Sequence, residues 1–109
     1  MTEINKITEE LRKFRDERDW AQFHNPKDLA IALSIEANEL LELFLWKPAE
    51  EADSEKLRDE LADVFAYAFM LADKYGLDVT QIMRDKLEKN ILKYPVAKAK
   101  GSAKKYNEL

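Results

Sequence analysis

The sequence has no cysteine, which excludes a disulfide framework, thiolate metal ligation and a cysteine nucleophile. Its only glycines are Gly76 and Gly101, so no Gly-rich loop exists and P-loop phosphate binding is excluded. Prolines number three, and a chain so poor in turn formers must put its residues into long elements. The single histidine, His24, removes the carboxylate di-iron bundle, which needs a Glu-x-x-His pair on each of two helices. Ser34, Ser54 and Ser102 lie in no context that resembles a nucleophile elbow. The longest unbroken apolar run, Val64 to Ala72, has nine residues, far short of the roughly 20 that span a bilayer. No membrane association is expected. The N-terminal segment MTEINK begins polar and lacks the apolar core of a secretory signal, so a cytoplasmic location is the expectation.

What is present points to helices. The 109 residues suit one domain, and a domain this short buries only about two-thirds of the surface its unfolded chain exposes. Residues 1–88 carry 12 Lys/Arg against 21 Asp/Glu, whereas residues 89–109 carry six lysines against Glu108 alone. The acidic body argues against a duplex nucleic-acid partner, whose affinity would rest on neutralising phosphates. We expect an all-α helical domain over residues 1–95 and a basic C-terminal tail over 96–109.

Four helical segments are predicted. Ile4, Ile7, Leu11 and Phe14 mark the first, from about Thr2 to Arg18. Asn25 serves as N-cap and Pro26 as first residue of the second, which carries Leu29, Leu33, Leu40 and Phe44 and ends near Leu45 before Lys47-Pro48. The third runs from Ser54 to Tyr75 with Gly76 as C-cap. Asp78 and Gln81 resemble a capping box for the fourth, which ends near Lys93. Val64 to Ala72 is apolar around the whole helical circumference, and such a helix must be covered on all sides. The expected fold is a bundle of about four helices per chain, completed by oligomerisation.

The informative chemistry is a pair of matched spacings. Glu36 and Glu39 fall on the second helix, Glu60 and Asp63 on the third. Residues three apart share a helical face, so each helix presents two carboxylates together. Glu36 has Ala32, Leu33, Leu40 and Leu43 as neighbours, and Glu60 has Leu57, Val64 and Tyr67. These acids sit beside apolar stripes rather than on the solvated face. Four carboxylates brought together repel one another and take up protons unless a cation is present. Oxygen-only ligation favours magnesium, manganese or calcium over zinc. Metal-assisted hydrolysis of a phosphate compound is the chemistry left standing.

Four stretches then carry a resemblance. They are Glu17 to Pro26 (ERDWAQFHNP), Glu36 to Lys47 (EANELLELFLWK), Glu60 to Tyr67 (ELADVFAY) and Lys104 to Leu109 (KKYNEL). The chain resembles the MazG-like all-helical nucleotide pyrophosphohydrolases, and within them the dCTP pyrophosphatase branch. The ExxE and ExxD spacings are shared by the wider group; the RDWxQFH segment and the KYxEL ending are more specific. Leu11 departs from the pattern, since vertebrate members carry a substrate-side histidine there, and base and sugar preference is left open.

The resemblance implies that Glu36, Glu39, Glu60 and Asp63 bind Mg2+, with Mn2+ as a possible substitute, and form the catalytic site. It implies that Trp20, Ala21, Gln22, Phe23 and His24, with Trp46 and Tyr67, contact the nucleotide. Trp20, Trp46 and Tyr67 offer flat faces for a base, while Gln22 and His24 can read its edge. Lys86, Asn90, Lys93 and Tyr94, together with Lys104 and Lys105, are placed to hold phosphates. The implied reaction takes a nucleoside triphosphate, dCTP or a modified dCTP, to the monophosphate and pyrophosphate, with Glu39 or Glu42 as general base. The implied assembly is a homotetramer built as a dimer of dimers. The competing reading is a non-catalytic helical oligomerisation or nucleotide-binding module with a structural cation.

Overall fold

The computed structural model describes Met1–Leu109 and contains helices and turns without strands. The chain divides into two compact units, Met1–Leu77 and Asp78–Leu109.

The first unit holds α1 (Glu3–Glu17), α2 (Pro26–Glu42) and α3 (Ser54–Lys74). Each starts on a side-chain cap that satisfies otherwise orphaned N–H groups. Asn5 N donates to Thr2 Oγ1 at 3.1 Å, and Asp28 N to Asn25 Oδ1 at 2.9 Å. Glu55 N and Lys56 N both donate to Asp53 Oδ1, at 3.0 and 3.1 Å. Pro26 occupies the first helical turn of α2, as expected.

Two of the three helices end in the same way. At the end of α3, Gly76 is left-handed (φ 64°); its N–H donates to Asp73 O and that of Leu77 to Ala72 O, both at 3.0 Å. This is the Schellman arrangement. α1 repeats it with an aspartate: Asp19 is left-handed (φ 55°), Asp19 N donates to Asp16 O at 3.1 Å and Trp20 N to Arg15 O at 3.0 Å. A glycine is not required because Gln22 Nε2 donates to Asp19 O at 3.0 Å and to Asp19 Oδ2 at 3.2 Å, giving the turn local hydrogen bonds. The motif fixes Trp20 against the last turn of α1.

α2 stops at Glu42, about a turn earlier than the sequence suggests. The backbone tightens into i→i−3 bonds, from Leu43 N to Leu40 O through Leu45 N to Glu42 O. Trp46 then turns left-handed at φ 60°. The acidic connection contains a short 3-10 turn, Ala49–Glu51.

α2 packs along α3, and α1 packs on α3 more lightly. The buried set is small: Leu29, Met70 and Ala72, with Thr8 as the one buried polar residue. Thr8 is satisfied by donating Oγ1 to Ile4 O at 2.7 Å. Arg12 Nε lies 3.3 Å from Asp73 Oδ2 and links α1 to the end of α3. Phe65, in the apolar run of α3, and Leu61 just before it stay 51% and 40% exposed, so three helices do not cover that helix.

The second unit holds α4 (Val79–Lys93), α5 (Val96–Ala99) and a 3-10 turn, Tyr106–Glu108. α5 is a fifth helix that the sequence pattern did not reveal. Asp78 caps α4 by accepting from Gln81 N at 3.0 Å, but the reciprocal half of the expected box is missing, because Gln81 Nε2 donates forward to Asp85 Oδ1 at 2.8 Å. The Tyr94 and Tyr106 rings meet edge-on at 6.3 Å, with Lys93 Nζ 4.8 Å above the Tyr106 ring. No helix is long and apolar enough to cross a membrane.

Candidate metal and nucleotide site

The packing of α2 on α3 joins the two carboxylate pairs. Oxygens of Glu36, Glu60 and Asp63 lie within 4.8 Å of one another. Glu39 is outside that trio but lies near enough to raise the pKa of both Glu36 and Glu60. Burial, the Glu39 carboxyl and the charges of Glu39 and Asp63 push the Glu36 pKa from 4.5 up to about 7. Glu60 is raised as well, first by burial and then by Glu39. Both shifts have the sign expected where acids are crowded without a counter-charge.

The donor set fits a hard cation. Glu36 Oε2 and Glu60 Oε2 are buried without a hydrogen-bond partner, which costs free energy unless something fills the coordination. The ion pairs of this unit are Lys6–Glu3, Arg12–Asp73 and Arg15–Asp16, so none of the four acids is neutralised by a basic side chain. Carboxylate oxygens alone suit magnesium, manganese or calcium.

The cluster is flanked by two hollows. One, of about 450 Å³, is lined by Glu39, Glu42, Lys47, Asp53, Lys56 and Glu60. Lys47 closes the Glu36 to Lys47 stretch, whereas Lys56, one turn before Glu60, falls outside every motif of the sequence. The other, of about 260 Å³, is mainly apolar, with Leu11, Phe14, Trp20, Tyr67 and Met70 in its walls and Arg15, His24 and Asp63 as its polar groups. Asp63 thus belongs both to the acid cluster and to the aromatic hollow.

His24 and Tyr67 meet edge-to-face, centroids 6.5 Å apart. The His24 pKa is lowered by burial and then by the positive charges of Arg15 and Lys74, so the ring is neutral at pH 7. Its Nδ1 is buried and unpartnered. Burial, followed by the charges of Glu36, Asp63 and Glu39, raises the Tyr67 pKa, and its hydroxyl remains a hydrogen-bond donor. Trp20 is held by an edge contact with Phe14 at 5.7 Å, and the Arg18 guanidinium covers the Phe14 ring at 3.7 Å.

The remaining sequence candidates fall elsewhere. Ala21, Gln22 and Phe23 form the 3-10 turn between α1 and α2, with Phe23 exposed and the Gln22 amide engaged by Asp19. Trp46 stands 94% exposed after α2 and lines neither hollow. Lys86 and Asn90 line a shallow groove of α4 with Met83, Arg84 and Leu87, while Tyr94 packs on Tyr106 in the second unit. Arg15 is the hollow-lining cation that the sequence pattern passed over, because nothing in the spacing of α1 shows which residues face α3.

Residues 31–109 match the MazG-like family. The chain is 41% identical over 105 residues to dCTP pyrophosphatase 1 of Bos taurus and 39% identical to that of Homo sapiens, in both cases over 89% of this chain. It spans 62% of the length of those relatives. Among solved structures it is similar to a pyrophosphatase from Archaeoglobus fulgidus, with a TM-score of 0.80 and 35% identity over 87% of this chain and 94% of that one.

Proposed function

The chain belongs to the MazG-like family, and we propose that it is a magnesium-dependent pyrophosphohydrolase that takes dCTP to dCMP and pyrophosphate. The observation that carries this reading is the meeting of three carboxylates within 4.8 Å beside an aromatic hollow that shares Asp63 with them. A structural cation site would have no use for the hollow. The pyrophosphatase names of the relatives support the same reaction class.

Glu36, Glu39, Glu60 and Asp63 would hold magnesium, which supplies charge neutralisation for the triphosphate and acidifies a water. The chain's own groups do the rest. Trp20 and Tyr67 present flat faces to the base, in the manner of aromatic platforms that bind bases by stacking. Neutral His24 offers its unpartnered Nδ1 to the nucleoside. Glu39 or Glu42 accepts a proton from the water that attacks the α-phosphorus. The bond between that phosphorus and the α,β-bridging oxygen breaks, and the electron pair leaves with pyrophosphate. Lys47 and Lys56 stand in the hollow beside Glu60, where they offset triphosphate charge; Lys86, Asn90 and Tyr94 are assigned to phosphate contact in the assembled enzyme.

The assembly in this reading is a homotetramer, a dimer of dimers in the cytoplasm. It is supported by the shortage of buried side chains and by the exposure of Leu61 and Phe65 on α3 and of Met83 and Leu87 on α4. Isolated domains of this size need more burial than that.

Hydrolysis in H2 18O tests the bond cleaved. Label in dCMP and none in pyrophosphate is expected; label in pyrophosphate would place attack on the β-phosphorus and overturn the mechanism.

A further inference from the structure

We propose that Arg15 is the specificity-determining residue of the aromatic hollow, its guanidinium donating in a fork to the adjacent O2 and N3 acceptors of a cytosine base. The proposal rests on the pyrophosphohydrolase reading and deepens it by naming the group that selects the base.

Arg15 lies in the last turn of α1, and its side chain is only 12% exposed. It lines the hollow of about 260 Å³ together with Trp20, His24 and Tyr67. One hydrogen bond holds the guanidinium, from Nε to Asp16 Oδ1 at 2.8 Å. That contact fixes the plane of the group and leaves the Nη pair for a ligand. A planar fork anchored at Nε is pre-organised for two acceptors side by side.

The other polar groups of the hollow have different tasks. Asp63 belongs to the acid cluster and repels acceptors. His24 is neutral and presents one nitrogen at a time as an acceptor. Arg15 is therefore the one cation in the walls that can answer an acceptor pair. Among pyrimidines, cytosine alone offers two adjacent acceptors on its pairing edge. Thymine and uracil place N3–H next to O2, so one arm of the fork would face a donor. Sites that hydrogen-bond their ligand reject analogues in this way, because a partly desolvated donor is left without a partner.

The test compares kcat/KM for dCTP and dTTP, with magnesium, in the wild-type full chain, Arg15→Ala and Arg15→Lys, and measures dCMP and dTMP binding by calorimetry. The wild type should prefer dCTP. Arg15→Ala should lose roughly 10- to 100-fold of dCTP efficiency, the scale of one bidentate base contact, with a much smaller loss for dTTP. Most of the loss should appear in KM and in dCMP affinity. Arg15→Lys should not restore the preference, since an ammonium presents no fork.

A dCTP to dTTP ratio unchanged in Arg15→Ala overturns the proposal while leaving the enzyme reading intact. Equal losses for both nucleotides also overturn it, by making Arg15 a general support of the pocket. Wild-type protein that turns over no nucleotide sinks the enzyme reading itself, and the dCMP and dTMP affinities then decide base selection alone. Should Arg15→Ala lose wild-type helicity by circular dichroism, the lysine variant carries the comparison.

Discussion

Glu36 on α2 and Glu60 on α3 each bury an Oε2 atom with no hydrogen-bond partner, with carboxylate oxygens of the two residues within 4.8 Å of each other. This pairing makes folding of the cation-free chain sensitive to pH. An acid whose pKa is higher in the folded than in the unfolded state binds more protons when folded, so its contribution is favourable at low pH and disappears as pH rises. For Glu36 the window runs from its ordinary 4.5 to about 7, and Glu60 acts in the same direction.

Thermal melts in the presence of a chelator should therefore show Tm falling as pH rises through that window. Added Mg2+ should raise Tm most above pH 7, where the cluster is ionised, and least near pH 5. A magnesium effect independent of pH would mean that the cation binds elsewhere.

Asp63→Asn and Glu36→Gln should each abolish magnesium-dependent turnover. Far-UV circular dichroism of both should match the wild type, because these acids do not hold the helices together. Glu36→Gln should also melt at a higher temperature than the wild type when no divalent cation is present, since it removes a crowded charge. Retention of full turnover in either variant would remove that residue from the metal site.

The carboxylate cluster was legible in the sequence because a spacing of three on a helix is a local property. The caps at Asn25 and Asp78 and the left-handed Gly76 are local too, although the expected box at Asp78 is only half formed, because Gln81 turns to Asp85 instead. What could not be read depends on tertiary packing. Arg15 looks like any charged residue on an amphipathic helix until α1 is laid on α3, and Lys56 looks like a solvated lysine until the hollow beside Glu60 closes around it. Asp19 reads as a polar loop residue, yet it takes the role that glycine plays at the end of α3. Trp46 carried a strong motif signal and stands almost fully exposed in the single chain.

Leu29 is the most completely buried large side chain, at 1% exposure. Leu29→Ala should destabilise the protein by about 2–5 kcal/mol, the range for a large-to-small change in a packed core. Urea melts at fixed protein concentration measure this directly. A change under about 1 kcal/mol would show that the fold gains little from burying Leu29.

Phe65 is half exposed on α3, and its ring lies 5.9 Å from that of Phe69. In the proposed tetramer this face is covered by another copy. Phe65→Glu should shift the sedimentation coefficient toward smaller species and lower Tm together. An unchanged sedimentation profile would place the subunit interface on another surface, and a wild-type monomer of 12.8 kDa at micromolar concentration would refute the assembly.

The most direct measurement is a turnover panel with the purified chain, Mg2+ and each common deoxynucleoside triphosphate, quantifying nucleotide products, pyrophosphate and orthophosphate separately. The expected result is dCMP and pyrophosphate in equal amounts, dCTP fastest, with no product once the cation is chelated. Release of orthophosphate, or no magnesium-dependent product from any nucleotide, would contradict the account.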